Sequence, residues 1–163
     1  MSSVRVELTG DTDRLLRRMY KLSHIDKKGI MNTLAESIRT STVERFTEER
    51  SPEGKKWKPS IRARAEGGKT LTKSAGLKSS IHSEAGESGF AVGTNTIYAA
   101  THQFGASRTI RARRKKHLRF RVGGRFVSVK EVHVNIPARP FLGISEEDQQ
   151  EIRNMLQTVF EEQ

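Results

Sequence analysis

At 163 residues, with 34% hydrophobic and 30% charged side chains, the chain has room for one modest core, and we expect a single domain over residues 1–163. A sequence without cysteine excludes a disulfide framework, thiolate metal ligation and a cysteine nucleophile. No apolar run approaches the roughly 20 residues of a membrane span, and the N-terminus lacks a signal-peptide core, so the chain reads as soluble and unprocessed with no membrane partner.

The net charge of +11 is unevenly placed. Residues 1–54 sum to +1, 55–104 to +5, 105–145 to +10 and 146–163 to −5. This polarity admits three readings: a basic stretch facing a phosphate backbone, the same stretch meeting the acidic block of a neighbouring copy, or a solvated charge run with no partner.

In chain order, Val4, Val6 and Leu8 alternate as a short strand, and Leu15, Leu16, Met19 and Leu22 share a helical face over about 13–22. The spacing of Ile30, Met31, Leu34, Ile38, Val43 and Phe46 predicts the longest helix over 27–48, with Gly29 in its first turn. Residues 50–69, with two Pro, three Gly and several cations, read as a loop anchored by Trp57 and Pro59. Residues 70–80 suit a short helix, and 81–94 two strands joined at Gly86 to Gly89. One or two helical turns follow around Ile97 to Phe104, ended by Gly105.

Residues 106–117 carry six Lys or Arg and one large aliphatic side chain, Ile110. They are expected to form a basic arm that is mobile in the free subunit, since little burial offsets its ordering entropy. Leu118 to Val129 reads as a hairpin on Gly123-Gly124, with Val122 opposite Arg125, Phe120 opposite Val127 and Leu118 opposite Val129. Its other face then carries Arg119, Arg121, Phe126 and Ser128. Val132, Val134 and Ile136 alternate as one more strand. Ser145 and Asp148 form a capping box for a helix with Ile152, Met155, Leu156, Val159 and Phe160 on one stripe.

Nothing in the pattern demands catalysis or a cofactor. The five histidines lack metal-ligand spacing on any one element. Tyr98 and His102, four apart, could serve a His-assisted nuclease with Arg113 or Lys115 at the phosphate, but residues 88–130 hold no carboxylate to orient a general base. The glycine pairs lie between strands and lack the Lys-Ser/Thr ending of a nucleotide loop. No base-reading motif is present, which confines any nucleic-acid contact to the backbone.

Four segments occur in a telling order: F-T-E-E-R-S-P-E-G-K-K-W-K-P at 46–59, L-T-K-S-A-G-L-K-S-S-I at 71–81, V-G-T-N-T-I-Y-A-A-T-H-Q-F-G at 92–105 and I-P-A-R-P-F-L-G-I at 136–144. Together they resemble the virion morphogenesis or tail-completion family of tailed bacteriophages, the kind carried by Mu-like phages, over some 70% of the chain. The resemblance implies a non-enzymatic role at the head–tail junction or tail end, in a homo-oligomeric ring, taken as a hexamer, beside neck and tail-tube proteins. It places the protein in the virion after assembly in the host cytoplasm. Trp57, Pro59, Tyr98, His102, Gln103, Phe104, Gly105, Arg139, Pro140 and Phe141 match the motifs and are expected to serve packing or subunit contact. Arg111, Arg113, Arg114, Lys115, Lys116, Arg119 and Arg121 are the candidates for facing DNA or an adjacent subunit. The fold expected is α+β: one antiparallel sheet of about four to six strands packed against the 27–48 helix and the C-terminal helix, with loop 50–69 and arm 106–117 as extensions.

Overall fold

The computed structural model describes residues 17, 20, 25–113, 116–122 and 124–161, excepting the Val122 side chain. Helix α1, Lys27–Glu48, covers the expected range. Asp26 caps it by accepting from the Gly29 N–H at 2.8 Å. A Cβ at Gly29 would crowd the Asp26 carboxylate, and glycine spares the cap that shift over the first turn. The buried side chains of α1 are Leu34, Ala35, Ile38, Thr42, Arg45 and Phe46, one stripe at helical period. The chain leaves α1 through Glu49 in the left-handed region, φ 57°.

Helix α2, Ile61–Glu66, lies inside the segment expected to be loop. Ser60 caps it, accepting from the Ala63 N–H at 3.1 Å, and the sequence between Pro59 and Gly67 is long enough for this short turn of helix. The segment is also tied to α1: fully buried Thr70 donates its N–H to Glu49 Oε1 at 2.6 Å, and Lys69 Nζ reaches Thr47 O at 2.6 Å. Within 70–80 only α3, Gly76–Ser79, is helical.

Strands β1, His82–Gly86, and β2, Gly89–Gly93, form the expected hairpin and pack on α1. Helix α4, Ala99–Phe104, ends at Gly105 with φ 77°. Strand β3, Ala106–Arg111, is antiparallel to β6, Glu131–Ile136. Between them lie β4, Leu118–Val122, and β5, Arg125–Val129, paired with each other in the register the Gly-Gly turn predicts. Helix α5, Glu146–Glu161, opens on the expected box: Asp148 N donates to Ser145 Oγ at 3.1 Å and Ser145 N to Asp148 Oδ2 at 2.7 Å.

The fold is α+β, but the single sheet of four to six strands is not what forms. Among the described residues the six strands pair as three separate two-stranded ladders. The reason lies in the connections: two tight turns close local pairs, and β6 returns to β3 instead of joining β1–β2. A second correction concerns the arm. Its first half, Ala106–Arg111, is a paired strand, because ladder hydrogen bonds from β6 satisfy its backbone without burying its side chains. Residues 106–136 thus form one projecting ribbon of two ladders, linked by an Ala112 N–H to Lys130 O bond of 3.0 Å. The strand expected at 4–8 lies outside the described residues, as does the helix at 13–22 apart from helical Arg17 and Tyr20.

Candidate assembly site

The four motif segments converge on the stretch Arg139 to Gly143. Phe141 is fully buried, its ring centroid 5.2 Å from that of Phe46, which in turn meets Trp57 edge-on at 5.5 Å. Leu77, Ile81 and Ala99 complete this cluster. Such an aromatic group adds roughly 0.5–1.5 kcal/mol per pair beyond its area burial.

Several polar atoms around it are matched internally. Trp57 Nε1 donates to Pro140 O at 2.8 Å. Arg139 is buried, donates Nε to Lys58 O at 2.7 Å and its backbone N–H to His102 O at 2.7 Å. Gln103 acts as a backbone surrogate: Oε1 accepts from the N–H groups of Phe141 and Leu142, both at 3.0 Å, and Nε2 donates to Leu142 O at 2.9 Å. Gly105 sits where a Cβ would be 2.8 Å from Ile136 O and 2.9 Å from Ala138 N, so no other residue fits this crossing.

Two residues that motif reading missed stand at the centre. Arg45 Nη1 donates to Phe141 O and Gly143 O at 3.1 and 2.7 Å, while Nη2 bonds Ser41 Oγ and the Asp148 carboxylate. Side-chain exposures of 6% and 4% make this a buried ion pair. Burial pushes the Asp148 carboxyl up, yet hydrogen bonding to Ser41 and Ser145 and the charge of Arg45 outweigh it and hold the group below its ordinary value. The available signal was position: Arg45 falls seven residues after Ile38 on the buried stripe of α1.

Three further motif residues face outward. Tyr98 is 45% and Phe104 77% exposed, and Pro59 is exposed rather than anchoring its loop. Tyr98 and His102 meet edge-on at 6.0 Å beside a cavity of about 230 Å³ lined also by Arg62, Leu71, Lys73, Ser74 and Leu77. Burial, with the nearby Arg139 charge, pushes His102 down and favours neutral imidazole, and its buried Nδ1 has no hydrogen-bond partner among the described residues. None of the residues lining this cavity is a carboxylate that could orient a base. A larger hollow of about 430 Å³ lies beside Trp57, rimmed by Lys55, Lys56 and Lys58 and backed by Ala138 and Pro140. Among the described residues no cluster of His, Asp or Glu is arranged to hold a metal ion, and no helix is long and apolar enough to cross a membrane.

The basic candidates lie on the ribbon. Arg119 and Arg121 share the exposed face of the β4–β5 ladder with Phe126 and Ser128. Arg121 bonds Gly124 O at 3.0 Å and lies 5.9 Å from the Phe126 ring centroid. Arg111 pairs with Glu131 across β3–β6 at 2.8 Å, so its charge is partly answered within the ribbon. Arg113 and Lys116 are exposed outside the ladders, whereas Arg114 and Lys115 fall outside the described residues.

No curated protein matches the chain, nor does any solved structure. The model of the phage virion morphogenesis family, however, matches residues 8–161, a span containing both the motif cluster and the whole basic ribbon. Since the match covers nearly the full length, the chain belongs to the phage virion morphogenesis family.

Proposed function

We propose that the protein is a non-enzymatic structural component of the phage head–tail junction, completing the neck or tail as a homo-oligomeric, hexameric ring through which DNA passes. Membership of a virion morphogenesis family supports the structural role. The observation that carries the ring is the division of the molecule: the aromatic cluster around Phe141 is packed and largely hydrogen-bonded within the chain, while among the described residues of the ribbon at 106–136 Arg119 and Arg121 are exposed without an acidic partner. A rigid body with a projecting element suits a head-to-tail contact, and such contacts close into rings when their rotation closes. The virion is then its destination, with neck and tail-tube proteins as neighbours. Cryo-electron microscopy of intact particles tests this: density for the chain in a closed ring at the neck or tail end is expected, and density in the capsid lattice or a tail fibre would refute it.

A second reading, sequence-independent nucleic-acid binding by a free-standing protein, is favoured by the exposed Arg119 and Arg121. It requires a steep fall of affinity with salt and no base preference.

A further inference from the structure

We propose that the ribbon of one copy seats on helix α5 of an adjacent copy, with Arg119 and Arg121 meeting Glu147 and Glu151; this rests on the ring reading and names the contact that would close it.

The ribbon is under-supported as it stands. A two-stranded sheet is at best marginally stable in water and needs a third surface. The substantial packing of β3, β4, β5 and β6 is each with its own ladder partner. The tip ladder has an apolar face, Leu118, Phe120, Val127 and Val129, that is only half-buried. On its opposite face Phe126 is 77% exposed among the arginines. A phosphate backbone would answer the cations but give exposed Phe126 no contact, whereas a protein surface on that face answers both.

Helix α5 has the complementary character. Glu146, Glu147 and Glu151 are exposed in its first turns, and no ion pair engages them among the described residues. Asp148, by contrast, points inward and is consumed by Arg45. Glu147 and Glu151 are four apart and so lie on one side of the helix, continued by Asn154 and Thr158. Exposed Phe160 supplies an apolar element near the other end. Arg119 and Arg121 likewise make no ion pair within the described chain. Cations and anions that find no partner inside one copy are thus presented on two different surfaces, the condition for a heterologous contact. Register pairs from Ala106↔Ile136 out to Val122↔Arg125 give the ribbon a length of roughly 35 Å at 3.3 Å per residue, enough to reach an adjacent subunit.

Charge exchange tests the contact. The wild type, the ribbon variant R119E/R121E, the helix variant E147K/E151K and their combination are compared by native mass spectrometry and sedimentation velocity, with circular dichroism as a check on folding. Each single-surface variant is expected to weaken self-association at least tenfold at low salt, and the combination to recover it. Oligomers that persist unchanged in both variants would overturn the contact while leaving the ring standing. A wild type that stays monomeric alone and with tail tubes would overturn both. If the ribbon variant loses DNA binding yet assembles normally, the ribbon serves DNA and the contact is wrong. Should either variant misfold, mixing the wild type with excess E147Q/E151Q, which removes charge without reversing it, must still lower the affinity in a salt-dependent way, or the proposal fails.

Discussion

Removing the Arg45 guanidinium strands an acid in the protein interior. Arg45→Met leaves the buried Asp148 carboxylate without its counter-charge, and leaves the carbonyls of Phe141 and Gly143 without a donor. Breaking a buried pair by removing one partner costs about 3–5 kcal/mol. For a chain of this size each kcal/mol moves the melting midpoint by about 2–4 °C, so a drop of about 6–20 °C is expected. Asp148→Asn should cost less than Arg45→Met, since the amide can still accept from Arg45 and Ser145 N while the interior keeps one unbalanced cation. The double variant Arg45→Met/Asp148→Leu should be less damaged than the sum of the singles, because no isolated charge remains. It should not reach wild type, because the two carbonyls and the α5 cap stay unanswered, at about 1–3 kcal/mol per orphaned group. The pH dependence follows from the sign of the shift. Asp148 is held below its ordinary value in the folded state, so its contribution is whole above about pH 4 and is lost as pH falls through the lower folded value. Urea unfolding followed by circular dichroism between pH 2.5 and pH 7 measures all of this. A loss under about 1 kcal/mol for Arg45→Met, or strict additivity in the double variant, would refute the buried-pair account.

Gly105→Ala should destabilise by more than about 2 kcal/mol, since it combines a positive φ with a Cβ pressed on the backbone of Ile136 and Ala138; a thermal melt decides. Gln103→Glu keeps the acceptor for two N–H groups but turns an oxygen toward Leu142 O, so its deficit should be largest at neutral pH and shrink in acid as protonation restores a donor. His102 should titrate below the ordinary histidine value of about 6.5 in an NMR series; being depressed when folded, it contributes stability above that value that is lost as pH falls, and His102→Gln should flatten this slope. Trypsin should cut the free subunit after exposed Arg113 or Lys116 before Arg108 or Arg111, which lie within β3; early cleavage at Arg108 would mean that the β3–β6 ladder opens in the isolated chain.

Elements written in local pattern were legible from the residues. The β4–β5 hairpin follows from a Gly-Gly turn between alternating side chains, and its register came with the turn. The capping box at Ser145 and Asp148 and the stripe of α1 are local in the same sense. The order of the four motifs carried the family across most of the chain. Pairings over long separations were not legible. Strand β3 looks like an uncompensated cationic arm until β6, some twenty residues later, supplies its backbone partner, and no periodicity in 106–117 announces that. The division into three ladders is decided the same way, by which edges meet after the chain turns. Arg45 reads as an ordinary surface charge and Asp148 as a cap only; the approach of α5 to the end of α1, 103 residues along the chain, is what makes them a buried pair. The residues thus determined most local elements, though not α2 or β3, and the charge polarity, because propensity, capping and turn chemistry act over a few positions. The tertiary structure alone decided which polar groups lose water, because burial depends on what arrives from far along the chain.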